Sequence, residues 1–195
     1  MDYEPSVILS REKIRLLSQV FRDLFKIKTI LFPVLKVLDK MEMKFSDNLY
    51  YSIEEDKYFE FGVMAELVNV EDEEHFCIRI RQSVYDKACN GDRASIGFIC
   101  HEMCHFFLIF VCGIGPKKYN TSEGLVYTKA IAGKVEPIYN SMEWQAMALC
   151  GEVMIPYERC INYSFRQIIS RTKSSNEQAK YYITKVVKVD LLSRL

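Results

Sequence analysis

Several absences narrow this 195-residue chain before any motif is read. It has no net charge: 26 Lys and Arg balance 26 Asp and Glu, so the whole-chain field gives no case for a nucleic-acid or membrane-surface partner, and any such partner needs a local patch. It has no internal repeat and no low-complexity tract, which excludes solenoids and arrays. It has no Cys-x-x-Cys pair; seven cysteines, an odd number, stand at 77, 89, 100, 104, 112, 150 and 160. Several lie inside apolar runs, where a reduced thiol behaves as a small hydrophobe, so free thiols are expected and no disulfides. The acidic opening Met1-Asp2-Tyr3-Glu4-Pro5, without the basic and apolar regions of an export signal, fits a cytoplasmic protein. An uninterrupted membrane span is missing too. Residues 96–114 approach the ~20 apolar residues a bilayer needs, but His101, Glu102 and His105 interrupt them, and a buried core helix is the expected reading, with no membrane partner.

The length suits one domain with a small appendage. Ser10 is placed to cap a first helix in which Ile14, Leu17, Val20, Phe21 and Phe25 recur at three- and four-residue steps. Val34, Leu35, Val37, Leu38 and Met41 predict a second helix after Pro33, packed on the first. Between residues 50 and 81 the period changes to two. Phe59, Phe61 and Val63, then Phe76, Ile78 and Ile80, alternate with polar residues as half-buried strands do, with the acidic residues 71–74 as a hairpin connection. Arg79 and Arg81 then fall on the solvent face. Asn90-Gly91-Asp92 is a turn, residues 94–112 a long apolar helix, residues 117–137 a long surface loop and residues 141–155 a second buried helix stopped by Pro156. Residues 161–195 carry seven Lys or Arg against Glu177 and Asp190. Val186, Val189, Leu191, Leu192 and Leu195 suggest an amphipathic helix there, whose basic side is expected to be a solvated face rather than a DNA contact.

The chemistry concentrates in His101-Glu102-Met103-Cys104-His105. On a helix, residues four apart differ by ~40° in direction, so both imidazoles project from one face and can share one Zn²⁺, while Glu102 is placed to take a proton from metal-bound water. With three histidines and 17 glutamates in the chain, about 0.004 accidental His-Glu-x-x-His matches are expected. Two core histidines satisfied by hydrogen bonds are the bland alternative.

A catalytic zinc needs a third protein ligand and an open position. The remaining histidine, His75, sits among acids and reads as a surface residue, so a carboxylate is expected from Glu123, Glu136, Glu143, Glu152 or Glu158. Glu143 shares a helix face with Met147 and Cys150, and Glu152 points about 180° away. A carboxylate on an apolar face needs a partner, which is either the metal or a buried Arg.

The segment Gln82-Ser83-Val84-Tyr85-Asp86-Lys87-Ala88, the motif His101-Glu102-Met103-Cys104-His105-Phe106-Phe107-Leu108, and Glu143-Trp144-Gln145-Ala146 running into Val153-Met154-Ile155-Pro156 resemble the ImmA/IrrE family of zinc metallopeptidases. The resemblance covers residues 10–156, and includes a strand that ends in the Val-Tyr-x-x-Ala block. It implies an α+β zincin core, with a small twisted sheet beside the active-site helix, over residues 1–156, leaving 157–195 as a basic, mostly helical segment. It also implies His101, His105 and Glu143 as zinc ligands, Glu102 as general base, and a helix-turn-helix transcriptional repressor as the cleaved partner. Cys104 stands where the family usually has Gly, and it and Cys100 read as core packing. Tyr119, Tyr127 and Tyr139 are candidates for stabilising the oxyanion. The competing reading is a zinc-holding sensor or scaffold that does not cleave.

Overall fold

The computed structural model describes residues 3–70, 74–121, 124–127 and 141–188. The fold is mixed α+β. Helix α1 (Arg11–Leu24) starts at Ser10, whose hydroxyl accepts the Lys13 N–H at 3.3 Å. Its buried face carries Ile14, Phe21 and the following Phe25, but Val20 is exposed and Arg15, Ser18 and Arg22 take up the rest of that face. The reason lies in its neighbour: α1 packs along α5 (Met142–Met154), which meets it with polar groups. Arg22 donates to the Val153 carbonyl at 2.5 Å and also to the Thr29 carbonyl, so a buried guanidinium closes the carbonyl end of α5. Helix α2 (Val34–Lys44) buries Val34, Val37, Leu38 and Met41, as the spacing predicts, mainly against the helix Arg93–Phe106 and the strand Leu49–Glu54 rather than α1.

Strands β1 (Leu49–Glu54), β2 (Ala65–Asn69) and β3 (Phe76–Arg81) form one sheet in the order β1-β3-β2. β1 runs parallel to β3; β2 pairs antiparallel with β3, the hairpin that the acidic residues connect, although 71–73 lie outside the described residues. The expected strand around Phe59, Phe61 and Val63 is instead a 3-10 turn, Asp56–Tyr58, followed by a bend at Gly62, whose φ of +86° suits glycine. Phe61 is fully exposed and Phe59 is buried beneath the guanidinium groups of Arg79 and Arg81. Those two arginines are therefore half-buried and paired rather than a free solvated face. Arg79 bonds Glu54 of β1 at 2.7 and 3.0 Å and Glu66 of β2 at 2.6 Å, and Arg81 donates to the carbonyls of Glu60 and Val63.

Val84, Tyr85 and Ala88 lie not on a strand but on helix α3 (Gln82–Cys89), which follows β3 without a break. Gly91, at φ +84°, then turns the chain into α4 (Arg93–Phe106), and Asp92 caps it by accepting the Ser95 N–H at 2.8 Å. A π-helical turn, Phe107–Val111, extends α4. The whole stretch Arg93–Val111 is long and apolar enough to cross a membrane by length and composition alone. Half of its most apolar window is buried within the fold, against α2, α3, α5 and the sheet. Phe107 stacks on Phe21 with ring centroids 4.6 Å apart, and Phe106 meets Phe45 and Phe76 edge-on.

The expected long loop opens with a hairpin, β4 (Lys118–Thr121) and β5 (Gly124–Tyr127), and residues 128–140 lie outside the described residues. After α5 come α6 (Tyr157–Cys160), α7 (Phe165–Thr172) and α8 (Asn176–Tyr181), which a π-helical turn at Tyr182–Val187 prolongs. Ile168, Ala179, Tyr182 and Val186 join the same core as Phe21 and Ile99. Val189, Leu191, Leu192 and Leu195 lie outside the described residues. All seven cysteines are free thiols, as their spacing predicts.

Candidate metal centre

Two helices bring the site together. On α4, His101 and His105 stand one turn apart, and their Nε2 atoms approach to 3.1 Å. On α5, Ser141 caps the helix by accepting the Trp144 N–H at 3.0 Å, which places Glu143 in the first turn. Its Oε2 lies 3.1 Å from His101 Nε2 and its Oε1 lies 3.2 Å from His105 Nε2. One carboxylate thus spans both imidazoles. The packing of α4 on α5 sets this approach, with Ile99, Cys100, Met103 and Cys104 of α4 and Leu149, Cys150 and Val153 of α5 buried in one core.

The donor set fits a small divalent ion. Donors held ~2.0–2.1 Å from a tetrahedral centre lie ~3.3–3.4 Å apart, close to the 3.1–3.2 Å separations here. Two imidazole nitrogens and a carboxylate also present lone pairs to one point, an arrangement that a shared cation stabilises. These residues can hold a metal ion; their geometry does not by itself name the metal. The Glu143 side chain is 52% exposed, so the site is open on that side. Its expected place on an apolar face is thereby corrected: Glu143 and Met147 lie on the open side of α5, and only Cys150 on that line is buried.

Charge follows the geometry. Hydrogen bonds from His101 and His105, opposed by desolvation, hold the Glu143 carboxyl well below the usual carboxylate range. For His101, burial disfavours the imidazolium, but the bond to Glu143 and the charges of Glu102, Cys150 and Glu143 outweigh it and raise its pKa. Glu102 is anchored separately. Its Oε2 accepts the Leu67 N–H of β2 at 2.9 Å, and burial raises its pKa above the ordinary carboxylate value despite the pull of His105 and His101. The strand that fixes Glu102 left no signal in the sequence, because a backbone N–H at a sheet edge has no residue signature.

The other carboxylates divide plainly. Glu152 is buried and pairs with Arg15 at 3.7 Å, the buried-arginine arrangement that was one of two readings for Glu143. Glu158 is exposed on α6. Glu123, Glu136 and Tyr139 lie outside the described residues, as do the side chains of Tyr119 and Tyr127. His75 precedes β3, is half-buried, and does not join the converging donors. Beside the site, a cavity of about 690 Å³ runs between α4, α5 and α8, with His101, Phe98, Met147, Cys150 and Tyr181 in its wall. Family models, curated proteins and solved structures were all compared with the chain, and none matches it.

Proposed function

We propose that the chain is a zinc-dependent endopeptidase with a zincin-type centre, in keeping with its resemblance to the ImmA/IrrE family, and that it cleaves a partner helix-turn-helix repressor. The observation that carries this reading is the convergence of His101, His105 and Glu143 beside a separately anchored Glu102. Zn²⁺ held by the first three would polarise the scissile carbonyl and acidify bound water. The remaining work belongs to the side chains. Glu143 and the neutral imidazoles supply the ligand lone pairs, and the α4–α5 packing keeps them in register. Glu102, held by Leu67 N–H and raised in pKa by burial, is suited to accept a proton at a carboxylate oxygen and return it to the leaving amine. Anchoring on β2 also orients that carboxylate independently of the three ligands, in keeping with a base rather than a fourth ligand.

The test is cleavage of a helix-turn-helix repressor encoded beside this chain, with and without a chelator, together with metal analysis. The wild type is expected to carry one zinc and to cut. His101→Ala and His105→Ala should lose the metal, and Glu102→Gln should keep it while losing at least ~10²-fold in rate. Persistent cleavage by Glu102→Gln would overturn the mechanism. A zinc-loaded wild type that cuts no candidate repressor would favour a non-cleaving sensor.

A further inference from the structure

Directly behind the histidine pair lies a second set of converging donors. Cys100 and Cys104 repeat the four-residue step of His101 and His105, one position earlier, so they project from an adjacent face of α4, turned ~100° away. Cys150 follows Glu143 by seven residues, two turns along α5. The α4–α5 packing that joins Glu143 to the histidines therefore also joins Cys150 to Cys100 and Cys104. The three sulfur atoms lie within 4.8 Å of one another, and all three residues are buried, Cys100 and Cys104 completely. A fourth sulfur is close: Met154 Sδ is 3.8 Å from Cys150 Sγ.

From this geometry we infer that the chain has a second metal site, Cys100, Cys104 and Cys150, which takes a soft monovalent ion of the Cu(I) class. Thiolate and thioether donors select soft d¹⁰ ions, and among the described residues no imidazole or carboxylate joins this group. Zinc favours four ligands in a closed tetrahedron, whereas Cu(I) is content with three sulfurs. Charge points the same way. Binding exchanges thiol protons for Cu⁺, so one thiolate leaves the complex neutral and two leave a single negative charge, a small burden for a dry core. The thiols already have polar contact, with Cys150 Sγ 3.7 Å from the Gly97 carbonyl. An entry path exists as well, because Cys150 lines the 690 Å³ cavity that His101 also borders. The two sites would then divide metals by softness, with a borderline ion on the nitrogen and oxygen donors and a soft one on sulfur.

The experiment is an oxygen-free titration of the reduced, zinc-loaded full chain with Cu(I) against a chromophoric Cu(I) chelator, with copper X-ray absorption on the product. One Cu(I) per chain, retained zinc and only sulfur neighbours are expected. Cys100→Ala and Cys150→Ala should each weaken Cu(I) by more than ~10-fold, while the double variant Cys89→Ala/Cys112→Ala, at the two less buried thiols, should bind as wild type. Glu143→Ala should lose zinc and keep Cu(I), which separates this inference from the zinc centre. Nitrogen neighbours, displacement of zinc, or loss of Cu(I) in the Cys89/Cys112 variant would overturn it. The absorption measurement uses only the wild type and so decides the matter even where a core substitution fails to fold.

Discussion

Arg79 ties the three strands of the sheet at one side chain, because its partners Glu54 and Glu66 stand on the strands to either side. A two-pronged guanidinium contact of this kind is worth more than a simple surface pair, though partial exposure keeps it modest. The bond from Arg79, with help from Ser52, holds Glu54 below the usual carboxylate range. A carboxyl with a depressed folded pKa contributes stability that is present above its unfolded pKa, ~4.3, and is lost as pH falls through the folded value. Glu54→Gln should therefore cost about 1 kcal/mol at pH 7, and the difference from wild type should shrink as the pH falls below ~4.3 and vanish once the folded carboxyl is protonated. Urea unfolding of both proteins at the two pH values checks it. An undiminished difference in acid would mean that shape, rather than charge, carries the contact.

At the scale of elements, the centre depends on where α5 begins. Ser141 caps the helix two residues before Glu143, so the cap and the carboxylate share a turn. Ser141→Ala should cost about 1 kcal/mol and also weaken zinc, because a frayed first turn no longer holds Glu143 against the imidazoles. Ser164→Ala, which removes the capping box of α7, should cost a similar amount and leave zinc affinity unchanged. Equilibrium unfolding and competitive zinc titration of the pair decide this. Much of this scale was legible in the residues. Ser10 marked a helix start, the turn Asn90-Gly91-Asp92 set off α4, the second buried helix was expected from Ser141, and the spacing of Val34, Val37, Leu38 and Met41 marked a buried face. The His-Glu-x-x-His spacing marked the two imidazoles, but Glu143 was one of five candidate carboxylates and stood out through the resemblance; the apolar face expected around it is the open side of α5. The misses share one cause, which is tertiary partners that outweigh local period. Phe59 and Phe61 alternate like a strand, but Gly62 bends there and two arginines cover Phe59. Arg15 and Arg22 sit inside because Glu152 and the α5 carbonyls await them from a helix more than a hundred residues away. The buried thiol trio was invisible for a related reason. Each cysteine alone looks like a small core residue, and only the crossing of two helices makes them a group.

For the whole molecule, the metal is expected to act as a stabiliser as well as a reagent. An ion that binds the folded chain and not the unfolded one adds RT ln(1 + [L]/Kd), about 2.7 kcal/mol at a free concentration of 100 Kd. For a chain of this size that corresponds to a rise in Tm of about 5–10 °C. Calorimetry with zinc, and then with excess chelator, should show that shift in the wild type and none in His105→Ala. An equal zinc response in His105→Ala would place the stabilising ion elsewhere.

The packing of α1 along α5 has a further consequence, which belongs to the ribosome rather than the finished molecule. Arg22 must wait for Val153, 131 residues downstream, before its guanidinium finds that carbonyl. At ~5–20 residues per second, about 7–26 s of synthesis separates the two. Through that interval the first helix carries a guanidinium that lacks this partner, and His101 and His105 are made before Glu143 can join them. Any activity that depends on the centre therefore waits for the start of α5, 42 residues after His101.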